Sequence, residues 1–176
     1  MHIIAVVGGK RSGKTTAVEM LVKGLVKHGY RVATAKHVSQ KDFTIDTEGK
    51  DTWRHTKAGA SITSSVASQE IATIRKVDTS TYKINDIIEN FKNEVDIIIL
   101  EGFRKLVEHE NSITKIVAVK NAKEALEASN QFKPLLAFVG PFSTKDLNLP
   151  APYVDVFTNP EKLIRIVVDT IESVPK

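Results

Sequence analysis

A chain of 176 residues, 41% of them hydrophobic, is long enough to bury a full core without staples and fits one α/β domain over residues 1–176. It contains no cysteine, which excludes disulfides, thiolate metal centres and cysteine nucleophiles. A net charge of +4 spread over dispersed basic residues allows a nucleic-acid partner but does not imply one. No apolar run approaches the roughly 20 residues of a membrane span. The sequence goes straight into a strand, so no signal peptide is expected.

That strand is Ile3 to Val7 (IIAVV), a short apolar run ending at Gly8. The spacing G-x-x-x-x-G-K-[ST] is then met by Gly8, Gly13, Lys14 and Thr15, with Gly9, Lys10, Arg11 and Ser12 between them and Thr16 after. Glycines let such a loop curl until its backbone N–H groups point at phosphate oxygens. Lys14 then reaches the β- and γ-phosphates, and the Thr15 hydroxyl is placed to ligand magnesium. Val18, Leu21, Val22, Leu25 and Val26 follow at helical spacing up to Gly29. A helix therefore starts at the loop and turns its positive end to the anion. This is a phosphate-binding loop.

Tyr30 to Lys36 reads as a second parallel strand reached by a right-handed crossover, ending at Lys36-His37. A polar loop from Val38 to Lys50 emerges at the edge where doubly wound sheets bind ligands, and it carries Asp42, Asp46 and Glu48. Asp51 or Thr52 can cap a short helix through about Ala58. Ala60 to Ala67 and Glu70 to Val77, joined by Ser68-Gln69, predict an antiparallel hairpin, an insertion spanning residues 60–77. Ser80 or Thr81 starts a helix with Ile84, Ile87, Ile88 and Phe91 on one face. Asp96 to Glu101 (DIIILE) is a central strand, since its unbroken apolar run suits a parallel sheet covered on both faces. Lys115 to Lys120, Leu135 to Val139 and Tyr153 to Phe157 are further strands, with a helix over Ala122 to Ala128. Asn159 and Pro160 open the last helix. The fold class is a mostly parallel, doubly wound P-loop sheet with an inserted hairpin.

Of the two acidic residues on the central strand, Glu101 is the one expected beside Thr15. Five residues of strand separate it from Asp96 by about 16 Å, and phosphates bind at the carboxyl end of a parallel sheet. Glu101 can then ligand the metal directly or through a water. Asp46 is a candidate for a further contact from the long loop.

Taken together, these blocks resemble a family, the B protein of molybdopterin-guanine dinucleotide biosynthesis. The likeness rests on the loop GGKRSGKTT, Lys36-His37, Asp46-x-x-Gly49-Lys50-Asp51 with Arg54-His55 and Ala58-Gly59-Ala60, and Glu101-Gly102-Phe103, with an echo in Lys115 to Val119. The resemblance implies a cytoplasmic, homodimeric protein that binds GTP with magnesium and hydrolyses it weakly at most. It also implies a partner enzyme, the guanylyltransferase that joins GMP to molybdopterin, with molybdopterin a candidate ligand. Lys36, His37, Asp46 and Lys50 are the polar groups to test first for nucleotide, metal or pterin contact.

Two departures stand out. Lys10 and Arg11 put charge where the family more often has small, polar residues. Gly9 stands where dimeric switch ATPases carry a trans-acting lysine. Guanine preference rests on the likeness alone, because Thr144-Lys145-Asp146 lacks the spacing of an N-K-x-D base-reading motif. Two other readings of the same loop are a small-molecule or nucleoside kinase and a scaffold holding only phosphate. A kinase would want an arginine-rich lid, whereas Arg54, Arg75, Arg104 and Arg165 are scattered.

Overall fold

The first apolar run forms β1 (His2–Gly8), with Ile4 to Val7 buried. The loop then opens directly into α1 (Lys14–Lys27), and the chain crosses to β2 (Val32–Lys36). The computed structural model describes residues 1–142 and 148–173, so Thr144-Lys145-Asp146 lies outside the described residues. Two compact units are formed, Met1–His37 with Lys83–Lys176, and Val38–Tyr82.

Within the second unit, α2 (Asp51–Lys57) is followed by β3 (Ile62–Val66) and β4 (Ile71–Arg75). The strands pair antiparallel, with Val66 opposite Ile71, and the Ala67 amide donates to the Glu70 carbonyl at 2.8 Å to close the turn at Ser68-Gln69. That is the two-residue hairpin the sequence predicts. Thr63 is buried and its hydroxyl lies 3.3 Å from that of Thr56, tying the hairpin to α2.

The first unit resumes with α3 (Ile84–Ile88), a 3₁₀ turn over Glu89–Phe91, and β5 (Ile97–Glu101). Then come α4 (Arg104–Val107), β6 (Thr114–Ala118), α5 (Ala122–Ser129), β7 (Leu135–Val139), β8 (Tyr153–Val154) and α6 (Pro160–Glu172). The strands form a six-stranded sheet in the order β2-β5-β1-β6-β7-β8, every neighbouring pair parallel. Successive side chains point to opposite faces, and both faces are covered. Val6, Ile97, Ile99 and Ile116 pack with α1 and α6, while Ala5, Val7, Ile98 and Leu100 pack with α3, α4 and α5. All of β5 is buried, which is why its sequence does not alternate.

Two boundaries shift from the sequence reading, each for a local reason, and one short helix is not expected from it at all. The helix expected at Ser80 or Thr81 begins at Ile84. Asp78 captures the Ser80 amide at 2.8 Å in a turn, and Asp86 accepts from the Lys83 amide at 2.7 Å to start the helix there. β8 stops at Val154 because Asp155 accepts from the Phe157 amide at 2.9 Å and turns the chain. The short helix α4 carries too few residues to show a period.

Strand register decides where the polar ends fall. Val6 and Lys36 both pair with Glu101, and Gly8 pairs with Ala118. The carboxyl ends of β2, β5, β1 and β6 therefore share one edge, with the loop after Gly8 rising from its middle. Asp96 sits at the other edge, its carbonyl accepting from the His2 amide.

Candidate functional site

Two glycines shape the loop between β1 and α1, for different reasons. A Cβ on Gly8 would lie 2.2 Å from the Ala118 carbonyl oxygen and 2.8 Å from the Ser12 hydroxyl, so β6 presses directly on the chain there. Gly13 has open space around it but a φ of +89°, which side chains strongly disfavour. Between them the loop is held from within. The Ser12 hydroxyl donates to the Gly9 carbonyl at 3.0 Å, and the Lys14 ammonium donates to the same oxygen at 2.5 Å. Ser12 is buried while Lys10 and Arg11 stay exposed, so the charge of those two faces outward.

α1 begins with Lys14, Thr15 and Thr16, and among the described residues no side chain caps its first amides and no acidic residue lies in its first turn. Uncapped N–H groups at a helix start, following a glycine-rich curl, bind an anion with the helix dipole in its favour. Burial is the main influence holding the Lys14 ammonium below its usual range. Glu101 acts in the opposite sense, and Lys36 and Lys120 add repulsion.

Opposite the helix start, the Thr15 hydroxyl donates to Glu101 Oε1 at 2.8 Å. The same carboxylate oxygen lies 3.1 Å from the Lys36 ammonium. Glu101 is 8% exposed, so this is a buried carboxylate at a strand end, satisfied by one hydroxyl and one ammonium. Among the described residues there is no cluster of three or more His, Cys, Asp or Glu side chains that could hold a metal unaided. Magnesium takes oxygen donors and keeps several waters, commonly binding through one or two carboxylates plus substrate phosphates. The Thr15 hydroxyl and Glu101 carboxylate are a donor set of that chemistry, and they fit it.

His37 lies at the same edge, its amide donating to the Glu101 carbonyl at 3.0 Å. Its ring meets Phe103 edge-on, 5.5 Å between centroids, so packing accounts for its position. Asp46 and Lys50 belong to the second unit. Asp46 Oδ1 accepts from the Thr52 hydroxyl at 2.8 Å and the Thr47 amide at 2.9 Å, while Oδ2 is buried without a donor among the described residues. Lys50 occupies the N-cap position of α2.

One residue at the loop is absent from the motif. Lys120, two residues beyond β6, brings its ammonium to 3.9 Å from where a Gly9 Cβ would stand. The signal for it is weak: a lysine just past the carboxyl end of a parallel strand.

A family model described as molybdopterin guanine dinucleotide synthesis protein B matches residues 3–140. A Methanocaldococcus jannaschii relative is 34% identical over 122 residues, 69% of this chain and 48% of that one. A Haemophilus influenzae protein described as a molybdopterin-guanine dinucleotide biosynthesis adapter protein is 30% identical over 119 residues, 64% of this chain and 66% of that one. The chain thus spans about half the length of the first relative and about two thirds of the second. A solved molybdopterin-guanine biosynthesis protein B superposes with a TM-score of 0.73 at 25% identity, covering 97% of this chain and 99% of that one. A Bacillus stearothermophilus homologue, at 19% identity and TM-score 0.72, covers 99% of this chain and 100% of its own and shares the fold.

Proposed function

The chain belongs to the molybdopterin guanine dinucleotide synthesis protein B family, and from that premise we propose that it is a GTP-binding accessory protein in molybdenum cofactor biosynthesis. In this reading it works in the cytoplasm beside the guanylyltransferase that converts molybdopterin to its guanine dinucleotide. The supporting observation is the uncapped start of α1 with the Thr15–Glu101 pair at 2.8 Å beside it. The loop amides and Lys14 hold the phosphates, and Thr15 and Glu101 would hold magnesium. When bound, that ion neutralises phosphate charge. Lys36, 3.1 Å from the Glu101 carboxylate, helps hold it in place.

GTP is expected to bind more tightly than ATP, with slow turnover in the isolated protein. No glutamine or arginine is evident in a position that speeds hydrolysis in the faster members of this class. Titration against a panel of nucleoside triphosphates, with phosphate release followed in the same samples, checks both points. Equal affinity for GTP and ATP, or a turnover of several per second, would count against the reading.

The hairpin of the second unit is proposed as a homodimer surface. Ile62, Val66 and Ile71 share one face and are 48%, 77% and 71% exposed. Ile74 does not join them: it pairs with Thr63 on the opposite face and is half-buried. A two-stranded ribbon with an open apolar face is marginal alone and invites pairing. Val66→Glu with Ile71→Glu is expected to give a soluble monomer by sedimentation. A wild-type chain that is already monomeric at tens of micromolar would dispose of the interface.

A further inference from the structure

Gly9 has no side chain, and among the described residues the only group within 4 Å of its open side is the Lys120 ammonium, at 3.9 Å. The carbonyl of the same residue is taken by the Lys14 ammonium. Two lysines from different elements therefore flank one loop residue. Lys120 is only loosely held, with its ammonium 3.9 Å from Glu124 Oε1 and its side chain 44% exposed. An exposed pair at that distance contributes little, so the ammonium remains available.

The charge balance gives this placement a direction. Lys36 and Lys120 both act on Lys14 to disfavour its charged form, and the buried Glu101 carboxylate, paired with Lys36, acts against them. Such an arrangement is relieved by a multiply charged anion and much less by a singly charged one. Lys14 is the residue that reaches the β- and γ-phosphates in this motif. Lys14 and Lys120 converge on the same loop residue, Gly9. We infer that Lys120 is a second phosphate-directed cation, presented from the end of β6 across Gly9 to the terminal phosphate, and that it sets the preference for triphosphate over diphosphate.

The inference rests on the reading of the loop as a nucleotide site, and the two can be tested apart. The experiment is calorimetric titration of GTP and GDP, with magnesium, into wild type, Lys120→Ala, Lys120→Arg and Lys14→Ala. Lys120→Ala is expected to lose about tenfold in GTP affinity and less than about threefold in GDP affinity, with Lys120→Arg restoring most of the difference. The alanine variant should melt with wild type, since the side chain is partly exposed and outside the core. Equal losses for GTP and GDP would mean that Lys120 only props the loop, and that overturns the inference. Unchanged GTP affinity in Lys120→Ala, with binding lost in Lys14→Ala, overturns it too and leaves the nucleotide site standing. A wild type that binds neither nucleotide brings down both.

Discussion

Lys14→Ala is expected to lose at least about a hundredfold in triphosphate affinity, about 2.7 kcal/mol, with the fold intact. The wild-type ammonium is already at the loop, bonded to the Gly9 carbonyl at 2.5 Å, and needs only to exchange that oxygen for phosphate. Its charge is disfavoured chiefly by burial, so a bound anion recovers more there than at an exposed lysine. Lys36 cannot replace it while tied to Glu101. Removing Lys14 also takes a partly buried charge out of the loop, so thermal melting should be unchanged or slightly raised. An affinity within about threefold of wild type, roughly 0.6 kcal/mol, would mean that the loop is not the site.

Glu101→Gln is expected to weaken magnesium-dependent GTP binding by about tenfold or more, while Asp96→Asn leaves it unchanged. Glu101 is buried at the loop edge and bonded to the Thr15 hydroxyl, and its amide analogue would leave Lys36 facing a neutral group. Asp96 answers to a different partner at the opposite edge. Its side chain takes the Arg31 guanidinium at 2.8 and 3.1 Å and the Arg31 amide at 2.9 Å. Those bonds lower its carboxyl from the ordinary 3.8 to about 2. A depressed carboxyl stabilises the fold above its unfolded value and loses that contribution as pH falls toward about 2, so Asp96→Asn should be less stable than wild type at neutral pH and converge with it in acid. Isothermal titration with and without magnesium ranks the two variants. The reverse ranking would refute the metal assignment.

The sheet and the loop were legible because each leaves a local pattern. Five apolar residues before Gly8, the spacing to Lys14 and Thr15, and the unbroken run Ile97 to Leu100 each report on their own surroundings. Choosing Glu101 over Asp96 needed one rule more, that parallel strands carry ligands at their carboxyl ends. Lys120 could not be read in this way. Its place beside Gly9 depends on β6 lying beside β1, and that adjacency is a fact of strand order, not of spacing in the chain. The start of α3 was hidden for a similar reason. Ser80 is a good capping residue, but whether its amide is free depends on the Asp78 side chain two residues back.

β1 lies between β5 and β6, and both of these neighbours come about a hundred residues after it. On the ribosome it is therefore made long before anything it pairs with. Until synthesis passes Glu101, Ile4 to Val7 form a sticky apolar segment with both edges unpaired, and one edge stays open until Ala118, the kind of intermediate that chaperones shield. A stalled or truncated product ending before Ile97 would expose that segment permanently and be prone to aggregate. Nucleotide binding cannot help at this stage, because the Glu101 carboxylate and the β6 wall behind Gly8 do not yet exist. A nucleotide bound as proposed would stabilise the finished fold without templating it.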